Sequence, residues 1–312
     1  TASHNPPQDN GYKVYVGPVA DGINYASSQI INPTDGFIAA DIDAVTSLKS
    51  LPRGSKWTIL DEEVLNEYVK RTSSLAPRPG DLKVVYTAMH GVGTETAQLV
   101  FNKAGFSSLI TVDEQCTPDP DFPTVAFPNP EEPGAIDLAL KKARDFGAEL
   151  VIANDPDADR CAAAINDPAV GWRMLRGDEL GVVLGEWIAR SKPTGTFGNS
   201  IVSSSALRKI SAHYGIDFQE VLTGFKWLAK IEDLAFGYEE AIGYAVDSDT
   251  VNDKDGISAA IFLASSAAFL EKFLMIAALP LTSPTRGLTW AKATVSAIYI
   301  SVFEAKSCLK FM

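Results

Sequence analysis

Short apolar runs alternate with amphipathic helical patterns through the middle of the chain. The apolar runs predict strands, and the segments between them have the 3.6-residue period of helices. Because such alternation is typical of α/β architectures with parallel or mixed sheets, we expect that fold class here. The predicted strands are 82–88, 108–112, 149–153, 161–165, 196–203 and 217–222, and the predicted helices are 94–104, 135–146, 178–190, 205–213 and 225–234.

The length and composition are those of an ordinary globular protein with more than one domain. The chain has 312 residues, of which 46% are hydrophobic and 21% charged, and this length suits two or three domains. The Pro-rich stretch 76–81 indicates one boundary, and a second is expected near Gly171.

The formal net charge of −12 disfavours nucleic-acid and membrane-surface binding, because an acidic surface repels phosphates. Three cysteines without paired spacing disfavour a disulfide framework or a zinc site and indicate a reducing compartment.

Both ends of the sequence depart from the usual pattern. The chain begins with Thr1 and shows neither an initiating Met nor a signal peptide, so we expect a fragment or a processed form. The apolar stretch 259–281 is long enough to span a bilayer, but Glu271 and Lys272 lie in its middle. A buried helix beginning near Asp255 is therefore the better interpretation. Residues 287–312 are apolar without a clear period, and no structure is predicted for them.

An acidic loop follows the predicted buried strand 149–153. Asp155, Asp157 and Asp159 alternate along it, and three such close carboxylates repel each other unless a cation neutralises them. Oxygen ligands of this kind suit Mg²⁺. A calcium loop fails, because Arg160 stands where that loop needs Gly and Asn166 where it needs Glu. An acidic surface turn remains the alternative.

Four other loops carry candidate functional side chains. Ser3 is followed by His4 and Lys13, which supply titratable nitrogens near a hydroxyl. Glu239 and Glu240 could accept hydrogen bonds from sugar hydroxyls. Lysines near predicted helix starts could meet a phosphate. Lys254 stands just before the predicted helix 257–270. Lys226 stands at the start of the predicted helix 225–234, and Thr223 precedes that helix. For each loop, taken alone, a polar turn or an ordinary helix cap is the alternative.

These segments occur in a fixed order that resembles a known family. TASHNP is followed by PDPDFP (118–123), PNPE (128–131), DPDADR, the Glu239–Glu240 loop and KDG. This order is similar to that of the α-D-phosphohexomutase superfamily of phosphoglucomutases and phosphomannomutases. The residues of these motifs are most similar to those of the branch that contains phosphopentomutase and glucose-1,6-bisphosphate synthase. The resemblance covers roughly residues 1–272.

The resemblance implies consecutive α/β domains with mixed sheets. Residues 1–76 would be the remainder of a phosphoserine-bearing domain I, 77–170 a metal-binding domain II, and 171–275 a sugar-binding domain III, with 276–312 an unassigned tail. Family members also have a segment before TASHNP and a fourth domain that binds the phosphate that is not transferred. Neither is recognised in this sequence, so we expect a chain truncated at both ends.

The resemblance also implies a role for each candidate residue. Ser3 matches the phosphorylated serine, and one of its phosphate oxygens would join Asp155, Asp157 and Asp159 around Mg²⁺. Arg160 matches the arginine beside the phosphoserine. His4, Lys13 and Lys254 match candidates for proton transfer, and Glu239 matches the acceptor of sugar hydroxyls. Glu240, Thr223 and Lys226 are expected to complete the substrate site.

The implied function is that of a Mg²⁺-dependent intramolecular phosphotransferase in the cytoplasm. It would interconvert sugar 1-phosphates with ribose or deoxyribose 5-phosphate or with glucose 6-phosphate, through a phosphoserine and a sugar bisphosphate. Glucose 1,6-bisphosphate would be the activator and a small phosphosugar the partner; the sequence does not indicate an oligomeric state. One alternative is an inactive fragment or pseudoenzyme. Another, a phosphatase of the haloacid-dehalogenase type, is disfavoured because Asp159 stands where its D-x-D-x-[TV] motif needs Thr or Val.

Overall fold

The computed structural model describes most of the chain up to Phe269. The described residues are 5, 8–9, 11, 13–17, 19–20, 23–24, 28–76, 82–107, 109–167, 169–191 and 193–269. The predictions for Ser3, His4 and the tail 276–312 therefore lie outside the described residues, as does most of the predicted 76–81 linker.

The N-terminal part contains a small hairpin and two helices. The hairpin pairs two-residue strands in antiparallel register, and a 3₁₀ turn at Leu48–Ser50 lies between the helices. These elements are β1 (Val19–Ala20), β2 (Ile23–Asn24), α1 (Thr34–Asp43) and α2 (Glu63–Ser73). The α1 helix is largely exposed, whereas α2 buries Val69 and Thr72.

The first large sheet has five strands in the order β4-β3-β5-β6-β7. The first three are parallel, and β6 and β7 add antiparallel strands at one side. Its elements are β3 (Val84–Thr87), α3 (Gly93–Lys103), β4 (Leu109–Thr111), α4 (Asp137–Phe146), β5 (Leu150–Asn154), β6 (Cys161–Asp167) and β7 (Gly171–Met174). Both β3 and β5 are buried along their whole length, which explains their continuous apolar sequences.

The second large sheet has four strands in the order β11-β10-β8-β9. Strands β10, β8 and β9 are parallel, and β11 is antiparallel to β10. Its elements are α5 (Gly177–Arg190), β8 (Thr196–Ser200), α6 (Ala206–Tyr214), β9 (Asp217–Val221), α7 (Phe225–Leu228), β10 (Leu234–Glu239) and β11 (Gly243–Ala245). The molecule is thus an α/β protein with two mixed sheets, as the alternation predicts.

The last described element is the apolar helix α8 (Gly256–Phe269). It contacts α2, α3, β5 and β6 as well as α5 and β11. Ile261, Leu263 and Ala264 have no exposed surface. The prediction of a buried helix beginning near Asp255 is therefore confirmed for these residues. None of the helices in the described part of the chain combines the length and apolarity needed to cross a bilayer.

The structure corrects the sequence prediction at several elements. The predicted helix 225–234 is wrong, because α7 ends at Leu228 and Leu234 begins β10. Phe225, Leu228, Ile231 and Leu234 have helical spacing, but they meet in one small apolar cluster around a turn. The predicted strand 196–203 ends at Ser200. The predictions also lacked the short strands β7 and β11 and the helices α1 and α2.

Candidate active site

The acidic loop is the turn of a β-hairpin in the first large sheet. Strand β5 ends at Asn154, β6 begins at Cys161, and these two residues are cross-strand partners. The six residues between them hold all three aspartates. Ala158 has a φ of 58°, a left-handed conformation that tightens the turn. The backbone therefore folds the alternating carboxylates onto one another instead of spreading them along a strand.

The three carboxylates form a compact cluster. One oxygen from each of Asp155, Asp157 and Asp159 lies within 4.8 Å of the others. Asp155 is 1% exposed, and its Oδ1 accepts a hydrogen bond from the Arg160 backbone N–H at 2.9 Å. Burial, together with the charges of Asp159 and Asp157, raises the pKa of Asp155 to about 7. A cation would relieve this repulsion, so the donor set fits a hard metal ion such as Mg²⁺.

Neighbouring loops approach the acidic turn at two glycines. A Cβ at Gly91 would lie 2.3 Å from Pro156 Cα, and the next residue, Val92, donates its N–H to the Pro156 carbonyl. A Cβ at Gly256 would lie 2.2 Å from the Arg160 carbonyl oxygen. The start of α8 and the loop before α3 therefore fix the turn from two directions.

Three cationic side chains surround the cluster. Lys13 Nζ lies 2.6 Å from Asp159 Oδ2 and 3.4 Å from Asp157 Oδ2. Lys254 Nζ lies 3.2 Å from the same Asp159 oxygen, and Arg160 Nε lies 3.9 Å from Asp159 Oδ1. Burial alone would lower the pKa of Lys13, but its hydrogen bond to Asp159 and the nearby carboxylates raise it above the usual value. The lysine therefore carries its charge at neutral pH.

Lys13 reaches the cluster from an extended N-terminal segment. Tyr15 and Gln29 form an antiparallel bridge, and the Ile30 N–H donates to the Val14 carbonyl at 3.0 Å. Residues two apart in an extended segment point to the same side, so Lys13 and Tyr15 both face the site. The Tyr15 hydroxyl donates a hydrogen bond to Asp253. Sequence reasoning missed both Tyr15 and Asp253, because no motif connects residues 238 positions apart.

The end of strand β10 supplies Glu239, which is 9% exposed. Its Oε1 accepts a hydrogen bond from the Gly224 N–H at 2.6 Å. Burial raises the pKa of Glu239, while that hydrogen bond and the charges of Lys254 and Arg160 oppose the rise. Glu239 therefore lies in the same electrostatic environment as the acidic turn.

Glu240 is engaged differently from its neighbour. Its Oε2 accepts hydrogen bonds from Ser200 Oγ at 3.0 Å and Ser203 Oγ at 3.1 Å. Its backbone N–H also donates to Ser203 Oγ. The structure thus attaches Glu240 to the turn between β8 and α6.

Thr223 lies in the loop that contacts Glu239 through Gly224, and Lys226 is the second residue of α7. Thr223 is exposed, and Lys226 Nζ lies 6.0 Å from the centroid of the Trp227 ring. The α7 helix itself has four residues. Because a helix of one turn has little macrodipole, the helix-start argument for a phosphate at Lys226 loses its basis. Both residues border the site without joining its charged cluster.

Glu131 of the PNPE segment lies within the electrostatic reach of Arg160 and Glu240. Burial raises its pKa, the charge of Arg160 opposes the rise, and the charge of Glu240 adds to it. The resemblance includes this motif but implies no role for its glutamate.

The predicted residues thus separate into three groups. The structure brings together Lys13, Asp155, Asp157, Asp159, Arg160, Lys254 and Glu239. It places Glu240, Thr223 and Lys226 at the border of this group. Ser3 and His4 lie outside the described residues.

Two family models match the chain. The phosphoglucomutase/phosphomannomutase alpha/beta/alpha domain II model matches residues 65–171. The corresponding domain III model matches residues 176–275. Together these matches contain the whole of the second large sheet and all of the first except residues 172–174 of β7.

Curated relatives match most of the chain but about half of their own length. A probable phosphomannomutase from Haemophilus influenzae is 48% identical over 277 residues, which cover 87% of this chain and 56% of that protein. A phosphopentomutase from Mus musculus is 38% identical over 304 residues, covering 86% of this chain and 47% of that protein. The chain therefore spans about half the length of the curated relatives that it matches.

A solved structure shares the fold. The crystal structure of a phosphoglucomutase/phosphomannomutase family protein from Burkholderia thailandensis superposes with a TM-score of 0.71 at 21% identity. The superposition covers 91% of this chain and 58% of that one.

Proposed function

Because the chain belongs to the phosphoglucomutase/phosphomannomutase family, we propose that its site transfers a phosphoryl group within a small phosphosugar in a Mg²⁺-dependent reaction. The observation that carries the proposal is the convergence of Lys13, Arg160 and Lys254 on the Asp155–Asp159 turn. Phosphoryl transfer depends on positioning and on stabilising the charge of the equatorial oxygens, and this site offers cationic groups for that purpose.

Asp155, Asp157 and Asp159 would hold the metal ion. The compact carboxylate cluster and the raised pKa of Asp155 support this assignment. We propose that Ser3, as a phosphoserine, supplies a further oxygen ligand. Bound Mg²⁺ would neutralise negative charge on the transferring group.

The chain's own residues would hold the phosphate and move the proton. Arg160 and Lys13 would bind the oxygens of the phosphoryl group that Ser3 carries. The P–O bond to the serine would break as a bond to the sugar hydroxyl forms. Lys254 and His4 are the proposed groups for the proton transfer, in which the neutral form would take the hydroxyl proton and the charged form would return a proton. Lys13 carries its charge, so it would act only on the phosphoryl oxygens. The Lys254 side chain is 13% exposed, so water competes little for its nitrogen.

Glu239 is the proposed acceptor of sugar hydroxyls, supported by its position at the end of β10 near Lys254. Glu240, Thr223 and Lys226 would border the sugar. The proposed reactions interconvert sugar 1-phosphates with ribose or deoxyribose 5-phosphate or with glucose 6-phosphate, and glucose 1,6-bisphosphate would be the activator. The phosphopentomutase and phosphomannomutase names of the relatives support this substrate class.

We also propose a division into domains at 1–76, 77–170 and 171–275, with a tail at 276–312. The two large sheets support this division except at one boundary, because β7 (Gly171–Met174) pairs with β6 of the first sheet and would move that boundary to after residue 174.

A coupled assay tests the function. Purified chain with Mg²⁺ and glucose 1,6-bisphosphate is given ribose 1-phosphate or glucose 1-phosphate, and the product is measured. Asp159→Asn should abolish turnover, because Asp159 contacts both lysines and is a proposed metal ligand. Asp145→Asn is the matched control, since Asp145 lies on the exposed face of α4, paired with Lys141. Equal turnover of both variants would refute the assignment of the site.

The second candidate is a chain that binds Mg²⁺ and a phosphosugar without turning it over. Its support is that the matched relatives are about twice as long as the matched region. Mg²⁺ binding lost in Asp159→Asn, with no product from the unsubstituted chain, would favour this candidate.

A further inference from the structure

Asp253 lies between β11 and α8, beside the acidic turn but outside the proposed set of metal ligands. It is 9% exposed, and both of its carboxylate oxygens have partners. Oδ1 accepts the Lys254 backbone N–H at 2.7 Å and lies 3.5 Å from Lys254 Nζ. Oδ2 accepts the Tyr15 hydroxyl. Asp253 therefore joins a residue of the N-terminal segment to a lysine of the site.

Tyr15 fixes the orientation of this carboxylate. Its backbone is held by the bridge to Gln29, and its side chain stands on the same side of the segment as Lys13. Burial and the hydrogen bond to Asp253 raise the pKa of the Tyr15 hydroxyl, so the hydroxyl remains a donor at neutral pH. A hydrogen bond to one carboxylate oxygen leaves the other facing Lys254.

Lys254 needs such a support because its side chain is long and flexible. Lysine has four rotatable carbon–carbon bonds, and one ion pair leaves it several rotamers. Here the ammonium lies between Asp159 Oδ2 at 3.2 Å and Asp253 Oδ1 at 3.5 Å, with the Phe225 ring centroid at 5.4 Å. Two carboxylates on different loops define its position better than one.

We propose that Asp253, held by the Tyr15 hydroxyl, is a positioning residue that aims Lys254 at the reacting group. The inference rests on the proposed function, in which Lys254 takes part in the proton transfer. Neither Tyr15 nor Asp253 touches the reacting atoms in this scheme. Their effect on the reaction passes through Lys254.

Steady-state kinetics of two variants and one control variant test the role. Tyr15→Phe removes only the hydroxyl, and Asp253→Asn keeps the shape of the side chain but loses its charge. Since acid–base groups contribute about 10²–10⁴-fold to rate, we expect kcat to fall about 10-fold in Tyr15→Phe and about 100-fold in Asp253→Asn. KM should change less than about threefold, because ground-state binding of the phosphosugar is retained.

Tyr68→Phe is the matched control. The Tyr68 hydroxyl also donates to an aspartate of this loop, Asp255, at 2.9 Å to each oxygen. Asp255 accepts the N–H groups of Ile257 and Ser258 at the start of α8 and makes no hydrogen bond or ion pair to Lys254 among the described contacts. Tyr68→Phe should therefore lower the melting temperature and leave kcat unchanged. An equal fall of kcat in Tyr68→Phe and Tyr15→Phe would mean that any loosening of the loop suffices, and it would overturn the proposal.

A second readout needs no turnover. NMR relaxation of ¹³Cε-labelled lysines in the 312-residue chain, with the Lys254 signal assigned by Lys254→Arg, reports the order of this side chain. We expect the order parameter of Lys254 to fall in Tyr15→Phe and Asp253→Asn and to stay unchanged in Tyr68→Phe. Unchanged order in the first two variants would overturn the positioning role. If the unsubstituted chain shows no turnover, the proposed function fails, and the relaxation result decides the positioning role by itself.

Discussion

Asp157 is the residue whose removal best separates metal binding from folding. It is half-buried and shares the carboxylate cluster, yet Lys13 makes its shorter contact with Asp159. We expect Asp157→Asn to weaken Mg²⁺ binding at least about 10-fold, which is ~1.4 kcal/mol. Stability without metal should not fall, because one of three repelling charges is removed. Calorimetry and thermal melts in EDTA measure the two effects, with Asp145→Asn as control. Unchanged Mg²⁺ affinity in Asp157→Asn would contradict the metal site.

Individual site residues differ in how far the sequence could predict them. The cation site at the acidic turn was predictable, because alternating aspartates in one short loop repel one another in any fold unless a cation neutralises them. The contact between Tyr15 and Asp253 was not, since it depends on how the N-terminal segment meets the loop before α8. Glu240 carries the same charge as Glu239, and only the positions of Ser200 and Ser203 show that it holds a turn.

Among the elements, strands and helices with many buried residues followed the sequence most closely. The α4 helix ends at Phe146 and is capped by Gly147, whose φ of 61° is the left-handed conformation that a glycine after a helix predicts. The short strands β7 and β11 have four and three residues, too few to establish an alternating pattern. The predicted helix 225–234 was too long because apolar residues around a tight turn can have the same spacing as those on one face of a helix.

The junction between α8 and the acidic turn allows a prediction for Gly256. A Cβ there would lie 2.2 Å from the Arg160 carbonyl and 2.7 Å from the Ala158 carbonyl. Gly256→Ala should destabilise the fold by about 1–3 kcal/mol through overpacking. Because the turn must shift, Mg²⁺ affinity should fall about 10-fold, as for other residues that support metal ligands. Gly54→Ala is the control, since a Cβ at Gly54 meets nothing within 4 Å. Urea unfolding and calorimetry measure both quantities; wild-type values for Gly256→Ala would contradict the close packing.

An ion pair joins α2 to the loop after β11. Arg71 Nε and Nη2 donate to Asp247 at 2.8 and 2.6 Å. Burial alone would raise the pKa of Asp247, but the hydrogen bonds from Arg71 and Thr250 hold it below its usual value. A lowered folded-state pKa stabilises the fold above the unfolded value of about 4, and that contribution is lost as the pH falls through the folded value.

We therefore expect Arg71→Met to cost about 1 kcal/mol at pH 7, a modest loss because Arg71 is half-exposed. The difference from the unsubstituted chain should shrink at pH values below about 4, where Asp247 gains a proton. Urea unfolding across this pH range measures it. Lys70→Met is the control, since Lys70 and Glu67 are both exposed and their pair contributes little. A stability difference that widens on acidification would contradict a lowered pKa of Asp247 in the folded state.

For the whole molecule, α8 is one of the elements that contact both large sheets. It packs against β5 and β6 of the first sheet and against β11 of the second. Its N-terminal residue Gly256 touches the acidic turn, and its following turns are buried. The helix therefore couples the geometry of the site to the packing of both sheets.

This coupling predicts how the molecule unfolds. Leu263 has no exposed surface, so Leu263→Ala should leave a cavity that costs about 2–5 kcal/mol. Because α8 contacts both sheets, differential scanning calorimetry should show one transition for the described region, lowered by about 5–15 °C. Leu99→Ala on the exposed face of α3 is the control, since Leu99 is 41% exposed and its truncation should shift the transition only slightly. Two separate transitions, of which Leu263→Ala moves only one, would show that each sheet unfolds by itself and that α8 belongs to one of them.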